Sequence, residues 1–256
     1  MRELTSPDRV RAACGDDDLL VWVAQGLTGG ARAWALGDAV VAAAPGVARG
    51  DRLAVWGGVA DAVELVRYAL AEVGPSFRPL GGAELVAEVA SKVEGLEVSG
   101  AFSWMSLPGG SFTRGDGVVR AGGARSGVAA GEVGWLGPEV DGEVAALLAE
   151  AAPRSYAVPG GAGVRRWAGL RVEGRLVAVA ADAWSAPSVG LVAGVATAVA
   201  WRGRGLAERV CRWVSGELVA AHGRVALMVD DDNPSAIGVY ERIGYGRVPV
   251  RSSRLR

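Results

Sequence analysis

The chain of 256 residues holds one lysine (Lys92), one asparagine (Asn233), one histidine (His222) and two cysteines (Cys14 and Cys211). Each scarcity removes a class of chemistry. Two cysteines this far apart in sequence make no disulfide scaffold. One histidine gives no histidine/cysteine metal cluster, which argues against zinc hydrolases and Cys–His nucleophile enzymes. A Ser–His–Asp triad would have only His222 to draw on. That residue stands in Ala-His-Gly-Arg, where a helix gives way to a strand, and a polar helix-end role is the simpler reading. A P-loop needs Gly-Lys-Ser/Thr at a helix start, and Lys92 is not in one, so nucleotide binding by that loop is excluded.

Net charge is also scarce. The 27 basic side chains face 28 acidic ones, and nothing in that balance points to nucleic acid or another polyanion. Arg2, Glu3, Asp8, Arg9 and Arg11 interrupt any apolar run at the start. We therefore expect no signal peptide and a cytoplasmic location. The uncharged stretch Ala183 to Trp201 approaches the length of a membrane span. Its Ser185, Pro187, Ser188, Gly190, Gly194 and Thr197 instead suit two short β segments around a turn.

Half of the residues are hydrophobic and 21% are charged, an ordinary globular balance able to bury a sizeable core. The length predicts one large or two small domains. In residues 1–130 the pattern reads as an α/β domain. A polar lead-in or first helix covers the first 17 residues, and Leu19–Ala24 reads as a buried strand. A hairpin follows around Gly37-Asp38, then a strand at Asp51–Trp56. Val59, Val63, Val66, Leu70 and Val73 have helical spacing and end at Gly74-Pro75. A helix at Ala83–Lys92 and a strand at Ala101–Leu107 complete this half. The glycine-rich stretch of about 108–130 reads as a linker, with a long active-site loop as the competing view.

Residues 131–256 read more clearly. A strand at Val133–Leu136 precedes a helix that Pro138 opens. A hairpin turns at Glu173-Gly174, and Val192–Val199 is a strand. The segment Arg202-Gly203-Arg204-Gly205-Leu206-Ala207 then opens a helix with Leu206, Val210, Trp213, Val214 and Leu218 on one face. Val225–Val229 is a further strand. Asp230-Asp231-Asp232-Asn233-Pro234 caps a helix carrying Ala236, Val239, Tyr240 and Ile243, Gly244 stops it, and Tyr245–Val250 is the last strand.

The strand-to-helix turn carries chemistry. A helix start has unpaired N–H groups and partial positive charge, both suited to a phosphate. Gly203 and Gly205 leave room for an anion to approach, and Arg202, Arg204 and Arg209 add charge. The same residues also suit a plain glycine turn beside an exposed basic face. A dinucleotide fingerprint fails at its third glycine, where Glu208 stands.

Arg202-x-x-Gly205-x-Ala207 resembles the acyl-CoA diphosphate loop of the GNAT-type N-acetyltransferase superfamily. Asn233-x-x-Ala236-x-x-x-Tyr240-x-x-x-Gly244-Tyr245 is similar to that superfamily's second motif, in the right order and with a helix and strand between. The resemblance covers roughly residues 131–250. Residues 1–130 are compatible with a degenerate copy, as in glycine N-acyltransferase-like members.

The resemblance implies a mixed-sheet α/β fold with splayed central strands. It implies acetyl-CoA as acyl donor and a primary amine as acceptor, attacked in a ternary complex. Backbone groups of Val195, Ala196 and Thr197 would pair with the pantetheine. Arg202, Gly203, Arg204, Gly205, Leu206 and Ala207 would hold the diphosphate, Asn233 would contact the cofactor, and Tyr240 would protonate the leaving thiolate. No metal, nucleic acid or membrane is implied, and the chain would act as a monomer or homodimer. The sequence departs from the pattern twice. Leu191–Ala200 lacks the usual glutamate, leaving Asp182, Asp230, Asp231 or water as the base, and only one strand fits after Gly244. A non-catalytic acyl-CoA-binding module is the alternative.

Overall fold

A computed structural model describes residues 1–111 and 131–256. The first part contains β1 (Arg2–Glu3), α1 (Pro7–Ala13), α2 (Asp18–Ala24), β2 (Arg32–Leu36), β3 (Ala39–Val47), β4 (Gly50–Trp56), α3 (Val59–Val73), β5 (Arg78–Gly82), α4 (Ala83–Lys92) and β6 (Leu96–Pro108). The second contains β7 (Val133–Trp135), α5 (Asp141–Ala151), β8 (Val164–Val172), β9 (Arg175–Ala183), β10 (Gly190–Thr197), α6 (Leu206–His222), β11 (Arg224–Asp230), α7 (Pro234–Ile243) and β12 (Gly246–Leu255). Most of the predicted linker lies outside the described residues; Gly109–Ser111 at its start form a 3₁₀ turn.

All the strands join one sheet in the order β1-β2-β3-β4-β5-β12-β6-β11-β10-β9-β8-β7. Replace each strand of one half by its counterpart in the other, and the order reads the same from the opposite end. The parallel pairs obey the same symmetry. They are β4–β5 and β10–β11, each followed by a helix crossover (α3 and α6). The halves exchange their last strands. β6 lies between β11 and β12, running antiparallel to both, while β12 lies between β6 and β5. The single strand after Gly244 is therefore sufficient, because the first half supplies the missing neighbour.

Two local features run against the sequence pattern. Leu19–Ala24 is helical, not a strand. The Asp17 carboxylate caps it by accepting from the Leu20 N–H at 2.8 Å, and every residue from Leu19 to Ala24 is buried. A short helix buried on all sides shows no polar face, so its periodicity is invisible. β5 was not anticipated at all. Its Arg-Pro-Leu-Gly-Gly sequence carries a proline and two glycines, which are poor strand formers. Gly81 is needed because a Cβ there would collide with the Val55 carbonyl of β4.

One face of the sheet carries a core shared by both halves. It joins Leu20, Trp22 and Val23 of α2 to Val144, Leu147 and Trp167 of the second half. The opposite face carries two cores, one under α3 and α4 and one under α6 and α7. The halves are stitched at the shared face. Trp22 Nε1 donates to the Trp184 carbonyl at 2.8 Å, and the Trp22 ring lies 5.3 Å from that of Trp104. Arg224 Nη2 crosses to Asp16 at 2.8 Å, and its Nε is steadied within the second half by the Ser188 carbonyl at 3.2 Å. Among the described residues no helix is long and apolar enough to cross a membrane. The uncharged stretch from Ala183 forms the end of β9, a tight turn and β10.

Candidate functional site

β10 and β11 pair from Gly190↔Val225 to Val192↔Leu227 and then part. β10 continues to Thr197, while β11 stays paired with β6 up to Asp230↔Phe102. A wedge opens between them. On its other side β10 slips against β9: Ala193 faces Ala181, but Ala196 faces Val179. The extra residue is a β-bulge, which re-aims the strand. Gly194 makes the bulge possible, with φ +60° and a position where a Cβ would collide with the Trp167 ring. The backbone of Val195, Ala196 and Thr197 thus edges the wedge with no strand partner on that side. Thr197 Oγ1 is buried without a hydrogen-bond partner among the described residues.

Beyond Thr197 the chain makes a 3₁₀ turn at Val199–Trp201 and enters α6. The Arg202 N–H is taken by the Val199 carbonyl at 3.3 Å, which removes it from the predicted amide set. The N–H groups of Gly203, Arg204, Gly205, Leu206 and Ala207 have no acceptor among the described residues. Gly203 (φ +74°) and Gly205 (φ +72°) face open space where their Cβ atoms would be. Several free amides at the start of a 17-residue helix, with nothing in front of them, form a ready anion site.

The arginines brace this turn instead of pairing with carboxylates. Arg202 donates to the Thr197 and Ala151 carbonyls at 3.3 and 3.0 Å. Arg204 lies over the Trp201 ring at 4.6 Å and donates to Ala200. Arg209 donates to the Gly131 carbonyl. Their positive charge is therefore left for a ligand. Glu208, at the position that disqualified a dinucleotide fingerprint, pairs with Arg212 of its own helix at 3.1 Å and ties α6 to α7 through Arg242 at 2.9 Å. Those bonds, the one from Arg242 first, hold its carboxyl below the ordinary range.

The second motif behaves partly as expected. Asn233 is the N-cap of α7: its Oδ1 accepts from the Ala236 N–H at 3.1 Å, leaving only its amide NH2 for a ligand. Tyr240 is buried on α7, 5.9 Å from the Tyr245 ring. Its hydroxyl has no hydrogen-bond partner among the described residues. Burial, with smaller effects from Cys211 and Tyr245, pushes its pKa well up, so the phenol keeps its proton. Tyr245 differs, because its hydroxyl lies 2.7 Å from Ser215 Oγ, which donates to the Cys211 carbonyl. Burial raises the Cys211 thiol to about 12, so it is no nucleophile.

Of the candidate bases, two are committed elsewhere. Asp182 is 1% exposed, accepts from Ser185 Oγ at 2.6 Å and pairs with Arg166 at 3.2 Å. Asp231 accepts from Ser103 Oγ at 2.5 Å and from Arg247 at 2.9 Å, which together lower its pKa. Asp230 is exposed at the end of β11, and its carboxylate has no partner among the described residues. The commitment of Asp231 could not be read from the sequence, since Ser103 lies 128 residues away. Among the described residues no cluster could hold a metal.

A bulged strand, a wedge beside it and an anion-ready helix start define an acyl-CoA N-acyltransferase type of α/β fold. The family described as FR47-like protein matches residues 168–253. Solved structures match over both halves. A GCN5-related N-acetyltransferase from Kribbella flavida is 20% identical, covers 91% of this chain and 94% of its own, and has a TM-score of 0.59. An acetyltransferase from the GNAT family of Colwellia psychrerythraea is 10% identical over 100% and 99% of the two chains, with a TM-score of 0.53. A Drosophila protein is 12% identical over 100% and 98%, with a TM-score of 0.56. At these identities the likeness to the structures is one of fold. No curated protein matches the chain. The resemblance of the second half to the GNAT-type N-acetyltransferase superfamily holds on the family match and the fold together.

Proposed function

We propose that the chain transfers an acetyl group from acetyl-CoA to a primary amine by direct attack in a ternary complex. The observation that carries this reading is the wedge past Val192 and Leu227 leading to the unpartnered amides of Gly203–Ala207. The residues fit the donor. The wedge-side backbone of Val195–Thr197, whose Thr197 carbonyl also accepts from Arg202, suits an added extended chain, and the glycine turn suits a diphosphate. The Asn233 NH2 offers a further polar contact. Bound acetyl-CoA would supply the thioester. Tyr240 holds a proton for the departing sulfur, since burial keeps its phenol protonated until the thiolate forms. Asp230, or a water it orders, takes the proton of the amine. The cytoplasm is the compartment this activity would occupy.

The same proposal takes the first half as a degenerate copy of the second, on the strength of the mirrored strand order. That half would wall the acceptor pocket or mediate dimer contacts. Calorimetric titration with acetyl-CoA tests the reading, and no binding at millimolar ligand overturns it. A second reading, a non-catalytic acyl-CoA-binding module, is favoured by the absence of any carboxylate on β10 and the commitment of Asp182 and Asp231 to protein partners. Release of free thiol from acetyl-CoA with a panel of amines separates the two.

A further inference from the structure

Three arginines lie in a row across the first half's part of the sheet. Arg52 on β4 is in register with Arg78 on β5. On β12, Ser252 is in register with Leu80, so Arg254, two residues further along, falls opposite Arg78. Strand alternation puts all three on the face that carries the shared core. Ala54, Leu80 and Val250 belong to that core, and each arginine is an even number of residues from one of them.

None of the three makes a hydrogen-bonded ion pair with a carboxylate among the described residues. Arg52 is half-buried and donates through Nε and Nη2 to the Val47 and Ala48 carbonyls, at 3.2 and 3.0 Å. Its Nη1 is unbonded and is not sealed from solvent. Arg78 and Arg254 are exposed and unbonded. The nearest acids are shared: Asp51, which acts on Arg52, also accepts from the Gly46 N–H at 3.0 Å, and Glu97, which stands across from Arg254 on β6 and feels its charge, pairs with Arg256. Burial, and after it the charge of Arg78, lowers the Arg52 pKa, while the Tyr156 phenol acts on it from the second half. Arg78 weighs more on Arg52 than Asp51 does, so the pair repels until something more negative joins it.

The row lies at the end of the sheet where the wedge opens. Asp230 is level with Phe102, Phe102 with Val250, and Val250 with Gly82 at the end of β5. Arg78 stands at the start of that strand. Three strand spacings of about 4.8 Å and four residues of about 3.3 Å separate the Cα atoms of Asp230 and Arg78 by on the order of 20 Å in a flat sheet. A long arginine side chain shortens the gap.

We infer that Arg52, Arg78 and Arg254 bind an oxyanion group, carboxylate or phosphate, carried on the acceptor some 10–20 Å from its reactive amine, the span that strand geometry allows. The acceptor is thus an elongated amine with an anionic tail, such as a short peptide, and the first half selects it. The acceptor role rests on the acyltransferase reading; the anion site does not.

The test separates them. With coenzyme A at saturation to fill any site on α6, inorganic phosphate is titrated against the wild type and the Arg78→Gln/Arg254→Gln pair, following the melting temperature. Arg52 is left alone because it also bonds the β3–β4 turn. We expect stabilisation of the wild type and at least a fivefold weaker response in the variant. Equal responses, or none in the wild type, overturn the site. In the second arm, pentapeptides with a free N-terminus end in a carboxylate, an amide or a phosphoserine amide. At least a tenfold higher kcat/KM for either anionic form, lost in the variant at unchanged acetyl-CoA affinity, supports the acceptor role and shows which anion is preferred. Equal use of all three, or transfer to none while acetyl-CoA binds, overturns that role. Failure of acetyl-CoA to bind sinks the acyltransferase reading and leaves the phosphate arm to decide the site.

Discussion

The two halves solve the same strand order differently at one joint. In the second half β10 leaves β11 after Val192, and a long turn brings free amides to the start of α6. In the first half β4 and β5 stay paired from Arg52↔Arg78 to Val55↔Gly81, almost to the end of β4. Only Gly57 and Gly58 separate β4 from α3. The Gly58 N–H is given to Asp38 Oδ1 at 3.2 Å, and the Asp38 N–H to Asp61 at 3.3 Å. The first half thus places its own carboxylate where the second leaves an opening. It has no wedge, and α4 carries no tyrosine. A topology can be repeated while the binding chemistry, which lies in a few residues at one strand end, is kept in one copy alone.

The largest expected effect concerns the seam between the halves. Trp22→Ala removes a fully buried indole and its bond to Trp184, and should cost about 3–5 kcal/mol. Because β6 and β12 are exchanged, we expect both halves to melt in one transition. Chemical denaturation followed by fluorescence and by circular dichroism should coincide. Two separated transitions would break the picture of interlocked halves.

Next comes Tyr240→Phe, which removes the proton donor without disturbing the turn. Turnover should fall about a hundredfold or more, in the range for loss of a general acid. Affinity for acetyl-CoA, measured by calorimetry, should stay near the wild-type value. Unchanged turnover would remove Tyr240 from the acid role.

A third experiment makes the second half imitate the first. Gly203→Asp plants a carboxylate among the free amides, as Asp38 does at Gly58. Affinity for acetyl-CoA should fall about thirtyfold, about 2 kcal/mol. The reverse change, Asp38→Asn, should leave binding at one acetyl-CoA per chain, because the first half has no parted strands to receive a second. A stoichiometry of two would contradict the comparison.

Legibility in the sequence followed the range of the interactions. The helix at 59–73 and the hairpins at Gly37-Asp38 and Glu173-Gly174 were readable because period and turn chemistry are local. The two motifs around Arg202 and Asn233 were readable as residue spacing, and the wedge they frame is present. What the sequence hid was long-range. No local pattern says that β6 pairs with β11, that Asp182 is held by Arg166, or that Asp38 plugs the start of α3. Asn233 illustrates the boundary: its scarcity flagged it, yet the structure uses its oxygen as a helix cap.

The smallest effect is electrostatic and again divides along the seam. Asp16 on the first half is held below the ordinary carboxyl range, first by its bond from Arg11 and then by Arg224 of the second half. Asp231 on the second half is lowered by Ser103 of the first and by Arg247. A carboxyl with a lowered folded-state pKa stabilises the fold above its unfolded pKa of about 4, and that contribution is lost as pH falls through the folded value. Asp17 works the other way. Burial raises its pKa, so it binds a proton earlier and favours the fold slightly on acidification. Because Asp16 and Asp231 are largely exposed, solvent screening keeps their share small. We expect the melting temperature to decline between pH 5 and 3, and Arg224→Gln to flatten that decline while lowering the plateau at pH 7. A decline of equal slope in the variant would mean that the seam is held by its tryptophans and exchanged strands alone.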